Sequence, residues 1–257
     1  MTIIYPSPIF GPIHSRRLGI SLGINLLPED GKCCSFNCIY CECGLNENFV
    51  PKKKMPTREE VKSALETQLI KMKAEGPTPD VFTFAGNGEP TLHPHFPEII
   101  NDTLELRDRY FPNAKVSVLT NATQIIKPKV FDALCKVDNN ICKLDTISAE
   151  YISLIDQPHK GYDVEKIIER LVAFGNRCII QTMFMNGSYK GKSVCNVTDD
   201  FVAPWLKTVE RIHPREVMIY TIDRETPVEG LEKATHAELD GIGNRVRELG
   251  IECKVAY

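Results

Sequence analysis

The sequence predicts an α/β fold in which outer helices join the strands of a parallel sheet. Seven apolar segments rich in β-branched residues alternate with segments of helical periodicity, and this alternation is typical of a parallel sheet. Two of the predicted helices begin at capping boxes. No linker, repeat or change of composition divides the 257 residues. We therefore expect a single domain spanning residues 1–257.

The predicted strands are short apolar runs, and glycine, proline or polar residues bound each of them. In chain order they are Leu18–Asn25, Asp80–Ala85, Lys115–Leu119, Ile141–Ile147, Cys178–Phe184, Glu216–Ile222 and Ile251–Val255. A helical segment follows each of the first six strands, and the seventh strand closes the pattern.

The first predicted helix has the clearest start. Thr57 and Glu60 form a capping box, and Val61, Leu65 and Leu69 then recur at a spacing of four residues. That spacing places the three apolar side chains on one face of a helix.

The last predicted helix repeats this start, with Thr235 and Glu238 as its capping box. The helices between are Phe96–Tyr110, Pro128–Cys135, Tyr162–Phe174 and one that begins at Thr198. Six strand–helix units and a closing strand fit either an open doubly wound sheet or a curved partial barrel, which periodicity does not distinguish. In both architectures ligands bind at the carboxyl ends of the strands.

The composition is that of a globular protein, with 42% apolar and 25% charged residues. A net charge of −3 gives no overall attraction to nucleic acid. We expect the local basic groups, Arg16 with Arg17 and the run 52–54, to be solvated surface. The sequence shows no apolar run of membrane-spanning length. Its N-terminal segment MTIIYPSPIF lacks the pattern of a secretory signal, so we expect a cytoplasmic protein without a membrane partner.

Cysteines are concentrated in one short loop of the chain, residues 31–45, which we call the cysteine loop. Five of the ten cysteines fall between Cys33 and Cys43. Cytoplasmic thiols are kept reduced, so this grouping indicates metal rather than disulfides. In CSFNCIYC, Cys34, Cys38 and Cys41 are suited to bind three irons of a four-iron, four-sulfur cluster and to leave the fourth iron open.

Zinc is the main alternative ligand for this loop. Structural zinc takes four ligands, usually in two separated pairs. Cys33 or Cys43 is available as a fourth ligand, but no second pair follows at the spacing of a zinc finger. A zinc-stabilised binding module without catalytic activity therefore stays open as a non-enzymatic alternative.

The ends of the other predicted strands also carry polar groups. After the second strand comes GNGEP, residues 86–90, which we call the glycine loop; its glycines allow close approach of the backbone, and Glu89 offers a carboxylate suited to an ammonium group. Further polar or sulfur-bearing side chains at strand ends are Asn121, Lys143, Asp145, Ser148, Gln181, Met183, Tyr220, Asp223 and Arg224. A purely structural domain has no need for this convergence.

These motifs resemble those of the radical S-adenosylmethionine superfamily. CSFNCIYC is similar to its three-cysteine motif, with Tyr40 in the aromatic position, and GNGEP is similar to its glycine–glutamate motif. The resemblance implies a partial (β/α)6 barrel with a parallel sheet and outer helices. The strings FGPIHSRRLGISLGINLLP, GNGEPTLHP and IYTIDRETPVEGLE are similar to the wyosine-synthase-like branch, in which many members have no assigned reaction.

The resemblance also implies roles for individual residues. Cys34, Cys38 and Cys41 would bind the [4Fe-4S] cluster, and the open iron would chelate the amino and carboxylate groups of S-adenosylmethionine. Tyr40 would lie near the adenine. The glycine loop, Gly86, Asn87, Gly88 and Glu89, would receive the amino group of the methionine moiety. Asn121, Asp145 and Ser148 would contact its ribose or carboxylate.

The reaction implied is reductive cleavage of S-adenosylmethionine to a 5′-deoxyadenosyl radical, which takes a hydrogen atom from a substrate. The electron would come from a donor such as flavodoxin or ferredoxin. The substrate is left open among a small molecule, a tRNA and a protein. Enzymes that form wyosine use additional upstream cysteines, whereas this chain has none before Cys33. Modification of a tRNA base and activation of a partner protein are the enzymatic alternatives.

Overall fold

The computed structural model describes residues 2–15 and 19–257. The basic pair Arg16 and Arg17, and the predicted strand start at Leu18, lie outside the described residues. That residues 1–257 form a single domain stays a prediction.

Eight strands form one curved sheet, in the order β1-β2-β3-β4-β5-β6-β9-β11. Seven of them run parallel, and β1 pairs antiparallel with β2. The strands are β1 Ile9–Ser15, β2 Gly19–Ile24, β3 Val81–Phe84, β4 Lys115–Thr120, β5 Asn139–Lys143, β6 Cys178–Met183, β9 Glu216–Tyr220 and β11 Glu252–Ala256. The parallel strands follow chain order and are flanked by helices, which confirms the predicted α/β partial barrel with its seven strands.

The helices connect successive parallel strands, as predicted. They are α1 Arg58–Glu75, α2 Phe96–Tyr110, α3 Pro128–Leu134, α4 Ala149–Ile155, α5 Val164–Phe174, α6 Asp199–Ile212 and α7 His236–Glu248. Both expected capping boxes are present, at Thr57 with Glu60 and at Thr235 with Glu238. The short helix α4 was not predicted from the sequence.

The two faces of the sheet have different neighbours, because successive side chains of a strand point to opposite faces. On β2 and β3, Leu22, Ile24 and Phe82 belong to the main core with the buried faces of the helices. The alternate residues Ser21 and Thr83 line an internal cavity and hydrogen-bond to each other at 2.8 Å. Curvature of the sheet therefore creates a cavity on the face that carries no helices.

A second, three-stranded sheet lies beyond the end of β6, in the order β10-β7-β8. Its strands are β7 Met185–Tyr189, β8 Lys192–Ser193 and β10 Leu231–Lys233. Met185 and Val194 join Cys38 and Tyr40 in one apolar cluster, so this part of the chain packs against the cysteine loop. The sequence analysis predicted none of these three strands.

Helices α1 and α2 are joined by a charged contact that makes a testable contribution to stability. Asp102 accepts two hydrogen bonds from Arg58, at 2.6 and 2.9 Å, and one from Lys62 at 3.1 Å. Hydrogen bonds from Arg58 lower the pKa of Asp102 below its ordinary value of 3.8, although partial burial opposes the shift.

We expect Asp102→Asn to lower the free energy of unfolding by about 1 kcal/mol at neutral pH. The value is small because the Arg58 and Lys62 side chains are 40% and 38% exposed, so solvent screens the contact. A lowered pKa stabilises the fold above the unfolded-state pKa, and this contribution disappears as pH falls through the folded-state pKa. Urea titrations at pH 7 and near pH 3 should therefore show a difference between wild type and variant that shrinks on acidification. A pH-independent difference would contradict the assignment.

In the ranges 2–15 and 19–257, no helix combines the length and the apolarity that crossing a membrane requires.

Candidate active site at the carboxyl ends of the strands

The cysteine loop and the glycine loop are joined by backbone hydrogen bonds. Cys33 N donates to Asn87 O at 2.8 Å, and Glu89 N donates to Cys33 O at 3.0 Å, which forms a short parallel bridge. Gly88 lies between these bonds with φ +132°, and a Cβ atom added there would approach Cys33 O to 1.9 Å. The glycine is required because the two backbones approach too closely for any side chain.

Cys34, Cys38 and Cys41 lie together in largely apolar surroundings. Cys38 is buried, while Cys34 and Cys41 are partly buried against the apolar cluster that contains Cys38. The cysteine loop is held to α4 by hydrogen bonds from the backbone N–H groups of residues 37 and 39 to the carbonyl oxygens of residues 156 and 155, at 2.8 and 2.9 Å. The loop is therefore positioned by a helix far from it in sequence.

Burial and neighbouring charges act differently on the three thiols. Burial raises the pKa of Cys34 to about 12 and that of Cys38 well above its ordinary value. A hydrogen bond from Cys43, helped by Lys32, instead lowers the pKa of Cys41 to about 6 against the effect of burial. Metal binding requires thiolates, so a bound metal must replace the protons that burial favours.

The donor set of the cysteine loop is compatible with an iron–sulfur cluster. Within the described ranges, no three His, Cys, Asp or Glu side chains form a group that holds one metal ion. A structural zinc site would need such a group, so the zinc alternative gains no support. Three thiols in an apolar environment are the donors that iron–sulfur clusters use.

Glu89 is buried, and its carboxylate is occupied by the protein itself. The residue is 1% exposed. One oxygen accepts hydrogen bonds from Thr91 N, at 3.0 Å, from Thr91 Oγ1, and from Thr120 Oγ1 at 2.7 Å; the other accepts from Asn121 N at 2.6 Å. The sequence analysis expected this carboxylate to be open for an ammonium group. In the structure it positions Asn121.

Asn121 carries this contact to the cysteine loop. Its Nδ2 atom donates to Ser35 Oγ at 2.9 Å and lies 3.6 Å from Cys34 Sγ. Its Oδ1 atom accepts from Thr123 N at 3.1 Å. Glu89, Asn121 and Cys34 therefore form a continuous chain of polar contacts between the glycine loop, the end of β4 and the cysteine loop.

A buried network of charges lies on the other side of Cys38. Lys143 Nζ contacts Asp145 Oδ2 at 2.5 Å and Asp156 Oδ1 at 3.2 Å, and it lies 4.5 Å from the centre of the Tyr40 ring. Tyr40 Oη donates to Asp145, and the Cys38 thiol donates to Asp156 at 3.4 Å.

The charges of this network compensate one another. Burial by itself lowers the pKa of Lys143, but the two carboxylates outweigh it and hold the pKa well above its ordinary value. Burial raises the pKa of Asp156 to about 6, and Lys143 opposes that shift. Lys143 therefore remains an ammonium whose charge allows carboxylates in this apolar site.

The other predicted site residues have plainer positions. Asn87 is fully buried and its side chain bonds with Tyr5 and with Pro28 O, so it attaches the N-terminal segment to the glycine loop. Ser148 Oγ accepts from Tyr151 N at 3.3 Å and caps α4. Gly86 lines the cavity, and its carbonyl lies 3.4 Å from the Cys43 thiol.

The internal cavity has a volume of about 450 Å³. Tyr40, Cys41, Cys43 and Gly86 line it at the end where the two loops meet. The remaining lining residues include the predicted Gln181, Met183, Tyr220, Asp223 and Arg224 from the strand ends. The geometry thus brings the cysteine loop, the glycine loop and the polar strand ends to one cavity.

Sequence reasoning missed three residues of this site. Glu42 lines the cavity and pairs with Arg224 at 2.7 Å, although 182 positions separate the two residues. Asp156 follows the unpredicted helix α4, and no motif marked it. Lys32 lies two residues before Cys34, and this proximity was the one available signal.

The motifs agree with a family comparison. A family model described as the radical SAM superfamily matches residues 29–190, a range that contains both loops. Among solved structures, a radical SAM methyltransferase from Sphaerobacter thermophilus superposes with a TM-score of 0.67 at 14% identity, covering 92% of this chain and 66% of that chain. Identity at this level shows a shared fold alone.

Curated relatives of this chain carry two different names. A UPF0026 protein of Helicobacter pylori (strain ATCC 700392 / 26695) is 32% identical over 224 residues, which are 85% of this chain and 67% of that protein. A protein of Brachyspira hyodysenteriae named GTPase Obg is 30% identical over 233 residues, which are 90% of this chain and 32% of that protein. The chain spans from about a third to about two thirds of the length of these relatives.

Proposed function

We propose, from the premise that this chain belongs to the radical SAM superfamily, that it binds a [4Fe-4S] cluster at Cys34, Cys38 and Cys41 and cleaves S-adenosylmethionine reductively. Superfamily membership makes the chain a radical SAM enzyme. The observation that carries the finer proposal is the backbone bridge between Cys33 and Gly88, because it fixes the cysteine loop beside the glycine loop at one end of the cavity.

When bound at Cys34, Cys38 and Cys41, the cluster would supply the electron for cleaving a carbon–sulfur bond of S-adenosylmethionine into methionine and a 5′-deoxyadenosyl radical, which would take a hydrogen atom from the substrate. The protein contributes orientation and exclusion of water. Gly86 and Tyr40 line the cavity beside Cys41, so we assign the methionine end of the cofactor to the glycine loop and the adenine to the side of Tyr40.

Glu89, Asn121, Asp145, Ser148, Asn87 and Gly88 support this arrangement rather than forming the cavity wall. We propose that Glu89 and Asn121 hold the glycine loop and the cysteine loop in register through their hydrogen bonds. Asp145 orients the hydroxyl group of Tyr40. These residues act on the cofactor by fixing the groups that touch it.

The proposed test is anaerobic reconstitution with iron and sulfide, followed by reduction with dithionite in the presence of S-adenosylmethionine. We expect about four irons per chain and formation of 5′-deoxyadenosine and methionine, measured by liquid chromatography. Cys38→Ala should abolish cleavage, because a cluster with two protein ligands is not retained. Cys135→Ser is the matched control, since Cys135 lies at the end of α3 and outside the site. Full cleavage by Cys38→Ala would refute the proposal.

An electron donor and a compartment complete the proposal. A reduced flavodoxin or ferredoxin is the proposed source of the electron, and the substrate stays open among a small molecule, a tRNA and a protein. All ten cysteines are free, which supports a reducing compartment, and we propose the cytoplasm.

A further inference from the structure

Lys32 is a buried cation at the base of the cysteine loop. The residue is 3% exposed, and its backbone N–H donates to Phe49 O at 2.7 Å. Its ammonium Nζ donates to Gly44 O at 2.6 Å. Both ends of the residue are therefore fixed, and the charge cannot move to solvent.

The position of the acceptor carbonyl is also fixed. Gly44 has φ +77°, and its N–H donates to Cys41 O at 2.9 Å. A Cβ atom at this position would lie 2.4 Å from the Phe49 ring. The contact with Gly44 O therefore holds the Lys32 ammonium beside the part of the loop that carries Cys41.

Lys32 lies two residues before Cys34, and the carbonyl that its ammonium contacts belongs to Gly44, three residues after Cys41. A buried ammonium costs several kcal/mol unless an opposite charge compensates it. A negatively charged group bound by the cysteine loop would supply that opposite charge.

We propose that Lys32 compensates the negative charge of the cluster site, and that it thereby retains the cluster and raises its reduction potential. A four-iron core bound by three thiolates carries a net negative charge, and reduction of the core adds one more negative charge. A fixed cation in an apolar site stabilises the reduced form more than the oxidised form. This inference rests on the proposed function, because it requires a cluster in the loop.

The test compares three variants of the reconstituted protein. Lys32→Met removes both the charge and the hydrogen bond, whereas Lys32→Gln removes the charge and keeps an amide that can donate to Gly44 O. Lys54→Met makes the same change of net charge at an exposed position just beyond the loop. The readouts are the midpoint potential, from redox titration followed by electron paramagnetic resonance, and the rate of iron loss to a chelator.

We expect both Lys32 variants to have a more negative midpoint potential and several-fold faster iron loss, with Lys54→Met unchanged. If Lys32→Gln has the midpoint potential and the iron retention of the wild type, Lys32 supplies only a structural hydrogen bond. That result would overturn the proposal. Equal shifts in Lys54→Met would overturn it as well. Unfolding of cluster-free Lys32→Gln, measured by circular dichroism, would also overturn the proposal, because the cluster-free protein has no cluster charge for Lys32 to compensate.

The iron content of the wild type separates failure of this inference from failure of the proposed function. Wild-type protein that takes up no cluster would refute the proposed function itself. Wild-type protein with a full cluster and unaltered Lys32 variants would refute the role of Lys32 alone.

Discussion

Gly88→Ala is expected to separate the two loops of the site and to abolish cluster binding. The added Cβ atom would lie 1.9 Å from Cys33 O and 3.1 Å from Cys34 Cβ, so the backbone must move. A φ of +132° adds the strain of a conformation that residues other than glycine rarely adopt. We expect the steric clash and the strain together to lower the free energy of unfolding by about 3 kcal/mol or more.

A matched control separates the steric clash from the strain in φ. Gly250→Ala also places alanine at a positive φ, +76°, but nothing lies within 4 Å of its Cβ position. We expect the free energy of unfolding of that variant to fall by about 1–2 kcal/mol, and we expect the variant to keep its cluster. The measurements are urea denaturation of the cluster-free proteins and iron content after reconstitution. Equal behaviour of the two variants would show that the approach of the loops at Gly88 has no importance for the site.

Lys143→Met is expected to lower the free energy of unfolding by about 3–5 kcal/mol, because it leaves buried carboxylates without their cation. The side chains of Asp145 and Asp156 are 0% and 3% exposed, and that of Lys143 is 14% exposed. Solvent therefore cannot replace the missing charge. Urea denaturation of the cluster-free protein at neutral pH measures the loss.

The charge explanation predicts recovery when the carboxylates are removed as well. The triple variant Lys143→Met, Asp145→Asn, Asp156→Asn should regain most of the lost stability, since an amide oxygen at position 145 can still accept from Met183 N. Lys192→Met is the surface control, because Lys192 and Glu150 are 63% and 84% exposed and their pair contributes little. A triple variant no more stable than Lys143→Met would mean that packing, rather than charge, is what Lys143 supplies.

The elements predicted from the sequence are those whose signal lies within one short segment. Thr57 with Glu60 and Thr235 with Glu238 form capping boxes in the structure, because a cap depends on residues three positions apart. The seven parallel strands were found because each contains a short apolar run bounded by glycine, proline or polar residues.

The elements that were missed have weaker local signals. Strand β1 is an antiparallel edge strand interrupted by Gly11 and Pro12, and its register shifts between Phe10 and Ile13. Strands β7, β8 and β10 are short and consist mainly of polar residues. Strands β7 and β10 pair with each other although they are distant in the chain. The hydrophobic periodicity of a single segment does not indicate such pairing.

The candidate site shows the same division. The spacing of Cys34, Cys38 and Cys41 and the pattern of GNGEP identify two loops, and the alternating fold predicts that they meet at the same edge of the sheet. The roles of Glu89 and Asn87 differ from expectation, because their side chains are buried among partners that belong to other segments. Asp156 was not predicted from the sequence, since its contact with Cys38 joins residues 118 positions apart.

The sequence by itself determined the class of fold and identified the three-cysteine motif and the glycine loop, because each depends on residues close together in the chain. Only the tertiary structure decided the cavity, the buried Lys143 network and the pairing of Glu42 with Arg224. These features depend on the curvature and register of the sheet, which bring together side chains more than 100 positions apart. The cysteine motif supplies the proposed metal ligands, and the fold around it sets the charge and the space in which a bound metal would act.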